Sequence, residues 1–314
     1  MSWQPGASLP MLRARARLRQ RVRDFFAERG VLEVDTPVLG RYGVSEPAID
    51  SIRTSAPGFD GILQTSPEYF MKRLLAAGSG PIYQMGPVFR AGESGRRHNP
   101  EFTMLEWYRP GFSLADLMEE VGALVSWNLD TAPPAVRCYR DLMRRHGRVD
   151  PWTDEDDVLS ARASEASGID AADLDRGMAL DLLMSHRVEP ALAHEGPVFV
   201  RGYPPDQAAL SEVIREGGVD VAQRFELYVN GVELCNGYQE LTDAAEQRAR
   251  FERDNQERRQ RGAPGMTPDP GLLAALEAGI PVCSGVALGV DRLLMLQMGA
   301  ASLDEVLPFS AERL

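Results

Sequence analysis

Two β-favouring runs, residues 225–229 and 232–238, are separated only by Asn230-Gly231. A two-residue hairpin turn needs positive φ at both central positions, and Asn-Gly meets that need with little strain. The pair therefore predicts an antiparallel hairpin. Other short strands are expected at 31–34, 62–66, 81–90, 101–109, 198–200 and from 282 to Gly289. Helices are expected near 10–29, after Pro67, after Ser113, from Thr242-Asp243 to Arg261, at 272–278 and after Gly289. Strands lie beside hairpins and loops rather than alternating with helices. The expected class is α+β, a mainly antiparallel sheet flanked by helices.

Residues 131–195 break this pattern. Pro133-Pro134 interrupts the chain, 154–157 is an acidic run and 170–176 is polar. The segment reads as a peripheral helical insertion with a solvated acidic face. The whole of 1–314 is expected to form a single catalytic-type domain around it.

Composition narrows the function classes. No stretch approaches the roughly 18 apolar residues of a membrane span, so no membrane partner is expected. The Arg-rich start, Arg13 to Arg23, carries Leu18, Val22 and Phe25 at helical spacing and reads as a first helix. Cys138, Cys235 and Cys283 show no close pairing, which fits a reducing cytoplasm. The net charge is −12. Nucleic-acid binders usually present a basic footprint, so RNA is an unfavoured partner. Among 34 basic residues, Lys72 is the one lysine. Genomic composition bias is the plain explanation; the alternative is that arginine does not serve at Lys72, because a compact ammonium and a planar guanidinium bind differently.

Four segments carry candidate chemistry. Thr65-Ser66-Pro67-Glu68 opens a helix with Lys72 one turn on; a surface i,i+4 ion pair is the alternative to a carboxylate that binds an amine. Phe89-Arg90-Ala91-Gly92-Glu93 leads through His98-Asn99-Pro100 into a strand bearing Glu106 and Tyr108. Arginine at a strand end can hold a phosphate through paired donors. Glu106 shares an otherwise apolar or aromatic face with Phe102, Met104 and Tyr108, which is an anomaly. Glu233 and Glu240 can hold magnesium against phosphates. Simple alternation puts them on opposite faces unless the strand bulges or ends, and Gly237 permits either. Finally, 285–289 is a small-residue strand entering a helix. Arg292 in the first turn gains nothing from the helix dipole, so it is placed for an anion. The spacing matches neither GxGxxG nor a P-loop.

Together these segments resemble the class II aminoacyl-tRNA synthetases. Pro37 is similar to the motif 1 proline of their dimer interface, 89–109 to motif 2 and 285–292 to motif 3. The lysyl-tRNA synthetases share the forms of Pro67-Glu68 with Lys72-Arg73-Leu74, of His98 to Met104, and of Asn236-Gly237 followed by Glu240-Leu241. Motif 1 begins by residue 37, leaving no room for an N-terminal anticodon-binding OB-fold of about 100 residues. The short form, with Trp107 to Pro110 and Cys283 to Gly289, resembles the elongation factor P lysine ligases. These attach (R)-β-lysine to a lysine of elongation factor P.

The resemblance implies ATP and Mg2+ as cofactors, β-lysine or lysine as substrate, elongation factor P as protein partner, and a homodimer. It implies Arg90 on the α-phosphate and Arg292 on the γ-phosphate as the catalytic pair. Ala91, Gly92, Asn99, Phe102, Glu233, Leu234 and Gly289 would complete the nucleotide site. Ser66, Pro67, Glu68, Tyr108, Glu240 and Ala287 would contact the amino acid, and Glu233 and Glu240 the metal. Ala287 stands where the lysyl enzymes have glycine. Gly92 stands where the family has a glutamate, which moves the acid to Glu93. A truncated lysyl-tRNA synthetase and a non-catalytic synthetase-like regulator are the rival expectations.

Overall fold

A computed structural model describes residues 3–314. The chain forms two compact units, one from residues up to Ser113 with Leu241–Leu314, the other from Leu114–Glu240.

The first unit is built on four strands in the order Leu32–Glu33, Ile82–Phe89, Glu101–Pro110 and Cys283–Gly289. The first pair is parallel and the other two are antiparallel. A separate small sheet orders Leu39–Gly40, Phe59–Leu63 and Arg53–Ala56. Helix Leu9–Ala27 starts where the Ser8 hydroxyl accepts the Met11 N–H at 3.3 Å, and it buries Leu18, Val22, Phe25 and Phe26 on one face. Phe26 stacks on Tyr83 at 4.4 Å and meets the edge of Trp107 at 5.3 Å. Trp107 therefore looks towards this helix. By strand alternation Glu106 and Tyr108 look to the other side of the sheet. The strand expected at 62–66 lies earlier, at Phe59–Leu63. The stretch expected at 31–34 shortens to Leu32–Glu33. Pro67 caps helix Glu68–Ala76 from just outside it.

In the second unit the order is Val232–Gln239, Val219–Val229, Pro197–Tyr203 and Ala135–Cys138, with Val213–Glu216 paired to Val219–Val229. All these pairs are antiparallel except the last, Pro197–Tyr203 with Ala135–Cys138. The hairpin closes as its sequence demands: Asn230 has φ 52° and Gly231 φ 70°, and Val229 faces Val232. The 131–195 region contributes a strand as well as helices. Its helices include Asp156–Ser167 and Arg176–Leu183. They share a core of Tyr139, Leu159, Leu180 and Val188 with Val198, Val200 and Tyr228 of the sheet.

The acidic run is used for local pairing. Asp154 accepts the Asp150 N–H at 2.7 Å, and Asp156 pairs with Arg176 at 2.8 Å. Asp150 itself receives Arg140 at 2.7 Å and Arg144 at 2.6 Å. Burial opposes its charge, but hydrogen bonds from Arg140, the Trp152 N–H and Arg144 win and hold the carboxyl far below its ordinary range.

Two tests follow from these contacts. A Cβ on Gly231 would lie 2.7 Å from the Glu189 carbonyl oxygen and 3.0 Å from Ala193 Cβ, at positive φ. Gly231→Ala is expected to lower stability by about 2 kcal/mol or more, read by urea unfolding. For Asp150 the folded pKa is depressed, so its contribution is present above the unfolded carboxyl pKa of about 3.9 and is lost as pH falls. The stability gap between wild type and Asp150→Asn is expected to be widest at neutral pH and to narrow below about pH 4. A gap that widens on acidification would contradict the assignment.

Candidate active site

In the first unit a buried carboxylate gathers the residues expected to contact an amino acid. The Ser66 hydroxyl donates to Glu106 Oε2 at 2.7 Å, and the Tyr108 hydroxyl donates to Glu106 Oε1 at 2.6 Å. Ser66 also accepts the Glu68 N–H at 3.0 Å, which ties the start of helix Glu68–Ala76 to the strand. On the sheet Glu106 stands between Gln84 on one neighbouring strand and Ala287 on the other. Its exposure is 2%. Ser66, Tyr108 and Ala287 thus meet at a residue that sequence reasoning did not assign. Its signal was there: an acid on the apolar face of an alternating strand.

The surface-pair alternative for Glu68 and Lys72 fails on burial. Lys72 Nζ lies 2.7 Å from Glu68 Oε1, and the lysine side chain is 1% exposed. The spacing was legible, but the depth was not, because helix periodicity alone does not place Lys72 beside buried Tyr69, Met71 and Leu75.

The motif expected to hold phosphates lies at the end of strand Ile82–Phe89. The Arg90 N–H bonds the Pro100 carbonyl at 2.9 Å and the Ala91 N–H bonds that of Asp50 at 2.8 Å, which anchors both sides of the loop base. Gly92 takes φ 77°. The Arg90 guanidinium carbon stands 5.2 Å from the Phe102 ring centroid, and its Nη1 is 3.4 Å from Glu93 Oε1. Arg90 Nε is buried with no hydrogen-bond partner. A buried donor left unmatched is costly, and an incoming anion satisfies it. Asn99 has a scaffold role: its amide donates to the Glu101 carbonyl at 2.6 Å and accepts the Ala311 N–H at 2.9 Å.

Arg292 opens helix Val290–Met298 and reaches back to the same loop. Its Nε donates to the Arg97 carbonyl at 3.2 Å, and its Nη2 lies 2.9 Å from His98 Nε2. Gly289 precedes that helix. A Cβ there would come no closer than 3.7 Å, to Arg292 Cδ, so the protein's own packing does not require glycine at 289. Between these residues sits Asp291. It accepts the Thr103 N–H at 2.7 Å and pairs with Arg15 at 2.5 Å.

In the second unit the two acidic residues are brought to one face by a bulge. Leu227 faces Cys235, but the next residue, Tyr228, faces Glu233, so Leu234 is the extra residue. The extra residue shifts the side-chain phase by one. Glu233 then shares a face with Asn236, Tyr238 and Glu240. By sequence Gly237 permits such an irregularity. The structure places it at Leu234 instead, where no glycine or proline announces it. Glu240 is 4% exposed and is bridged to Ser211.

Residues 6–313 match the family described as tRNA synthetases class II (D, K and N). The chain belongs to this family. It is similar to elongation factor P–(R)-β-lysine ligases of Salmonella paratyphi B (strain ATCC BAA-1250 / SPB7), Salmonella heidelberg (strain SL476) and Salmonella enteritidis PT4 (strain P125109). Each is 46% identical over 320 residues, spanning 99% of this chain and 98% of the relative.

Membership in the class II synthetases gives these contacts a frame. The segment expected as motif 2 holds the Arg90 loop and the Glu106 strand, and the one expected as motif 3 runs from Gly285 through Arg292. The two motifs are adjacent strands here, paired from Cys283↔Pro110 to Gly289↔Met104. Among the described residues no group of three or more His, Cys, Asp or Glu forms a ready metal cage. A pair of carboxylates on one face suits magnesium, which favours one or two carboxylates together with substrate phosphates.

Glu106→Gln tests the pocket. The replacement amide has one acceptor oxygen where the carboxylate has two, so one of the Ser66 and Tyr108 hydroxyls loses its carboxylate acceptor. Thermal or urea unfolding is expected to show a loss of about 1–3 kcal/mol. No loss would mean that the carboxylate does not organise these groups.

Proposed function

We propose that the chain is an ATP-dependent, AMP-forming ligase that activates (R)-β-lysine, or lysine, and transfers it to a lysine side chain of elongation factor P. One observation carries this reading furthest: two acidic residues, Glu68 and Glu106, are tied to one serine, Ser66, whose hydroxyl accepts the Glu68 N–H and donates to the Glu106 carboxylate. Acidic groups held this way suit an ammonium, and the relatives that share the whole chain are named for a diamino acid.

The chemistry is two displacements. The substrate carboxylate oxygen attacks the α-phosphorus of ATP, forming the acyl phosphate bond as the bond to pyrophosphate breaks. The acceptor amine then attacks the acyl carbon, AMP leaves, and the amine proton passes to solvent. Negative charge builds on the phosphate oxygens in the first step. Arg90, with its unmatched Nε, and Arg292 offset it, so catalysis is positioning and electrostatics. Phe102 stacks adenine, with Ala91, Gly92 and Gly289 giving backbone access to the nucleotide. Ser66, Pro67, Glu68, Tyr108, Glu240 and Ala287 contact the amino acid. Glu233 and Glu240 would hold magnesium, which would supply charge neutralisation on the phosphates.

On this reading the chain acts as one catalytic domain, with 131–195 as its insertion. An amine acceptor on a protein removes the need for tRNA, in keeping with the net charge of −12. Exposed Leu32, Val38 and Leu39, close to Pro37, support a homodimer through motif 1. No helix is long and apolar enough to cross a membrane among the described residues. A cytoplasmic setting fits a translation factor as substrate.

The test is pyrophosphate exchange with (R)-β-lysine and with lysine, followed by transfer to elongation factor P and to tRNA. Exchange and transfer to the factor are expected. Exchange with neither amino acid would favour a regulator, and transfer to tRNA alone a truncated synthetase.

A further inference from the structure

Lys72 is the single lysine of the chain, and its side chain is 1% exposed. An ammonium taken out of water at that depth must be paired. Its pair is Glu68 Oε1 at 2.7 Å. Glu68 is the residue read above as an amine contact, so the lysine touches the machinery without itself needing to touch substrate.

A charge count within the first unit sharpens the point. Glu68 and Glu106 bring two negative charges, and Ser66 donates to the Glu106 carboxylate while accepting the Glu68 N–H. A diamino acid brings two ammonium groups and one carboxylate, a net of +1. With Lys72 the three side chains sum to −1, which matches that substrate. Without it they sum to −2, one negative charge more than that substrate offsets. The geometry adds a second role. The ammonium lies against Oε1, so Oε2 is the oxygen left to an incoming amine.

Shape explains why arginine does not replace it. A lysine stem ends in a compact point charge, whereas a guanidinium is a planar fork that calls for several acceptors. The Lys72 helix buries Tyr69, Met71 and Leu75 around this position. Extra volume in a filled interior forces side chains off their preferred rotamers.

We propose that Lys72 is a positioning residue that orients Glu68 and balances its charge for a diamino acid. This rests on the amino-acid role of Glu68 proposed above. A purely structural ion pair would stabilise the helix and leave substrate recognition alone.

A single lysine makes the test direct. Enzyme grown with side-chain 13C-labelled lysine gives one lysine Cε signal. That signal is expected to shift on saturation with lysine or (R)-β-lysine and to stay in place with ATP alone. In pyrophosphate exchange, Lys72→Met is expected to raise KM for the amino acid by about tenfold or more, while KM for ATP changes by less than about twofold. Lys72→Arg should fall between Lys72→Met and wild type. In a Glu68→Gln background, Lys72→Met should add nothing, because it acts through that carboxylate.

An unmoved signal, an unchanged amino-acid KM in Lys72→Met, or effects of the two substitutions that simply multiply would each overturn the proposal. If Glu68→Gln is impaired and Lys72→Met is not, only the role of Lys72 falls. If Glu68→Gln itself leaves the amino-acid KM unchanged, the pocket assignment falls and the role of Lys72 with it. The labelling arm needs no substitution, so poor folding of a variant does not shield the idea.

Discussion

One carboxylate, that of Asp291, ties together three segments on which the first unit depends. It accepts the Thr103 N–H at 2.7 Å and meets Arg15 at 2.5 Å, and Arg15 also donates to the Thr103 hydroxyl at 2.8 Å. At 1% exposure this charge has little solvent to fall back on. Removing one member of a buried pair strands the other and typically costs about 3–5 kcal/mol. The neighbours of these residues give the network its consequence. Thr103 follows Phe102 and Asp291 precedes Arg292, so the expected stacking ring and the expected phosphate-binding guanidinium are set by one anchor. Arg15 brings in helix Leu9–Ala27, whose Phe26 lies against Tyr83 and Trp107. Core packing and site geometry are therefore coupled through a single ion pair. Concentrating arginines on that helix has its own cost: burial and the charges of Arg23 and Arg15 lower the pKa of Arg19.

The same sheet separates two kinds of charge. At the end of strand Ile82–Phe89 and the start of helix Val290–Met298 the side chains are donors, Arg90 and Arg292. Around Glu106 they are acceptors, with Ser66 and Tyr108 already donating inward. Donors suit phosphate and carboxylates suit ammonium. Both come from the antiparallel register of two neighbouring strands, so the polarity of the site follows from which residues alternate onto one face. The helix-facing side of the Glu106 strand carries Leu105 and Trp107, both 0% exposed. The apolar core and the polar pocket are thus two faces of one strand.

Much of this was readable in advance because it is local. The Asn230-Gly231 turn, the helix opened at Asp243 and the Gly289 junction are dictated by a few adjacent residues, and each appears where expected. The motif residues came through a family resemblance, a different route from periodicity. What was missed depends on distant partners. The Leu234 bulge is a property of two strands in register, and an apolar residue gives no local sign of it. Asn99 reads as a free amide near a ligand until Ala311, far along the chain, takes its oxygen. Glu106 was conspicuous as an acid in the wrong company, yet its role needed Ser66, forty positions away. Lys72 was conspicuous by composition, but its depth is set by tertiary packing alone.

Ala287 is the last feature that the register explains. It faces Glu106 directly, and Gly285 faces Tyr108, so the alanine methyl stands beside the carboxylate that organises the pocket. A single methyl discriminates by about 1–3 kcal/mol in a well-fitted site. Moving an amine from the α to the β carbon displaces an ammonium by about one bond length, roughly 1.5 Å. A charge-assisted hydrogen bond made at one position and missed at the other is worth about 1.5–3 kcal/mol. The two effects are of similar size, and here they act at the same place. If the proposed function holds, the methyl and the carboxylate would act together in any discrimination between lysine and (R)-β-lysine. Substituting Ala287 alone would relax the choice without reversing it, because the carboxylates stay where Ser66, Tyr108 and Lys72 hold them.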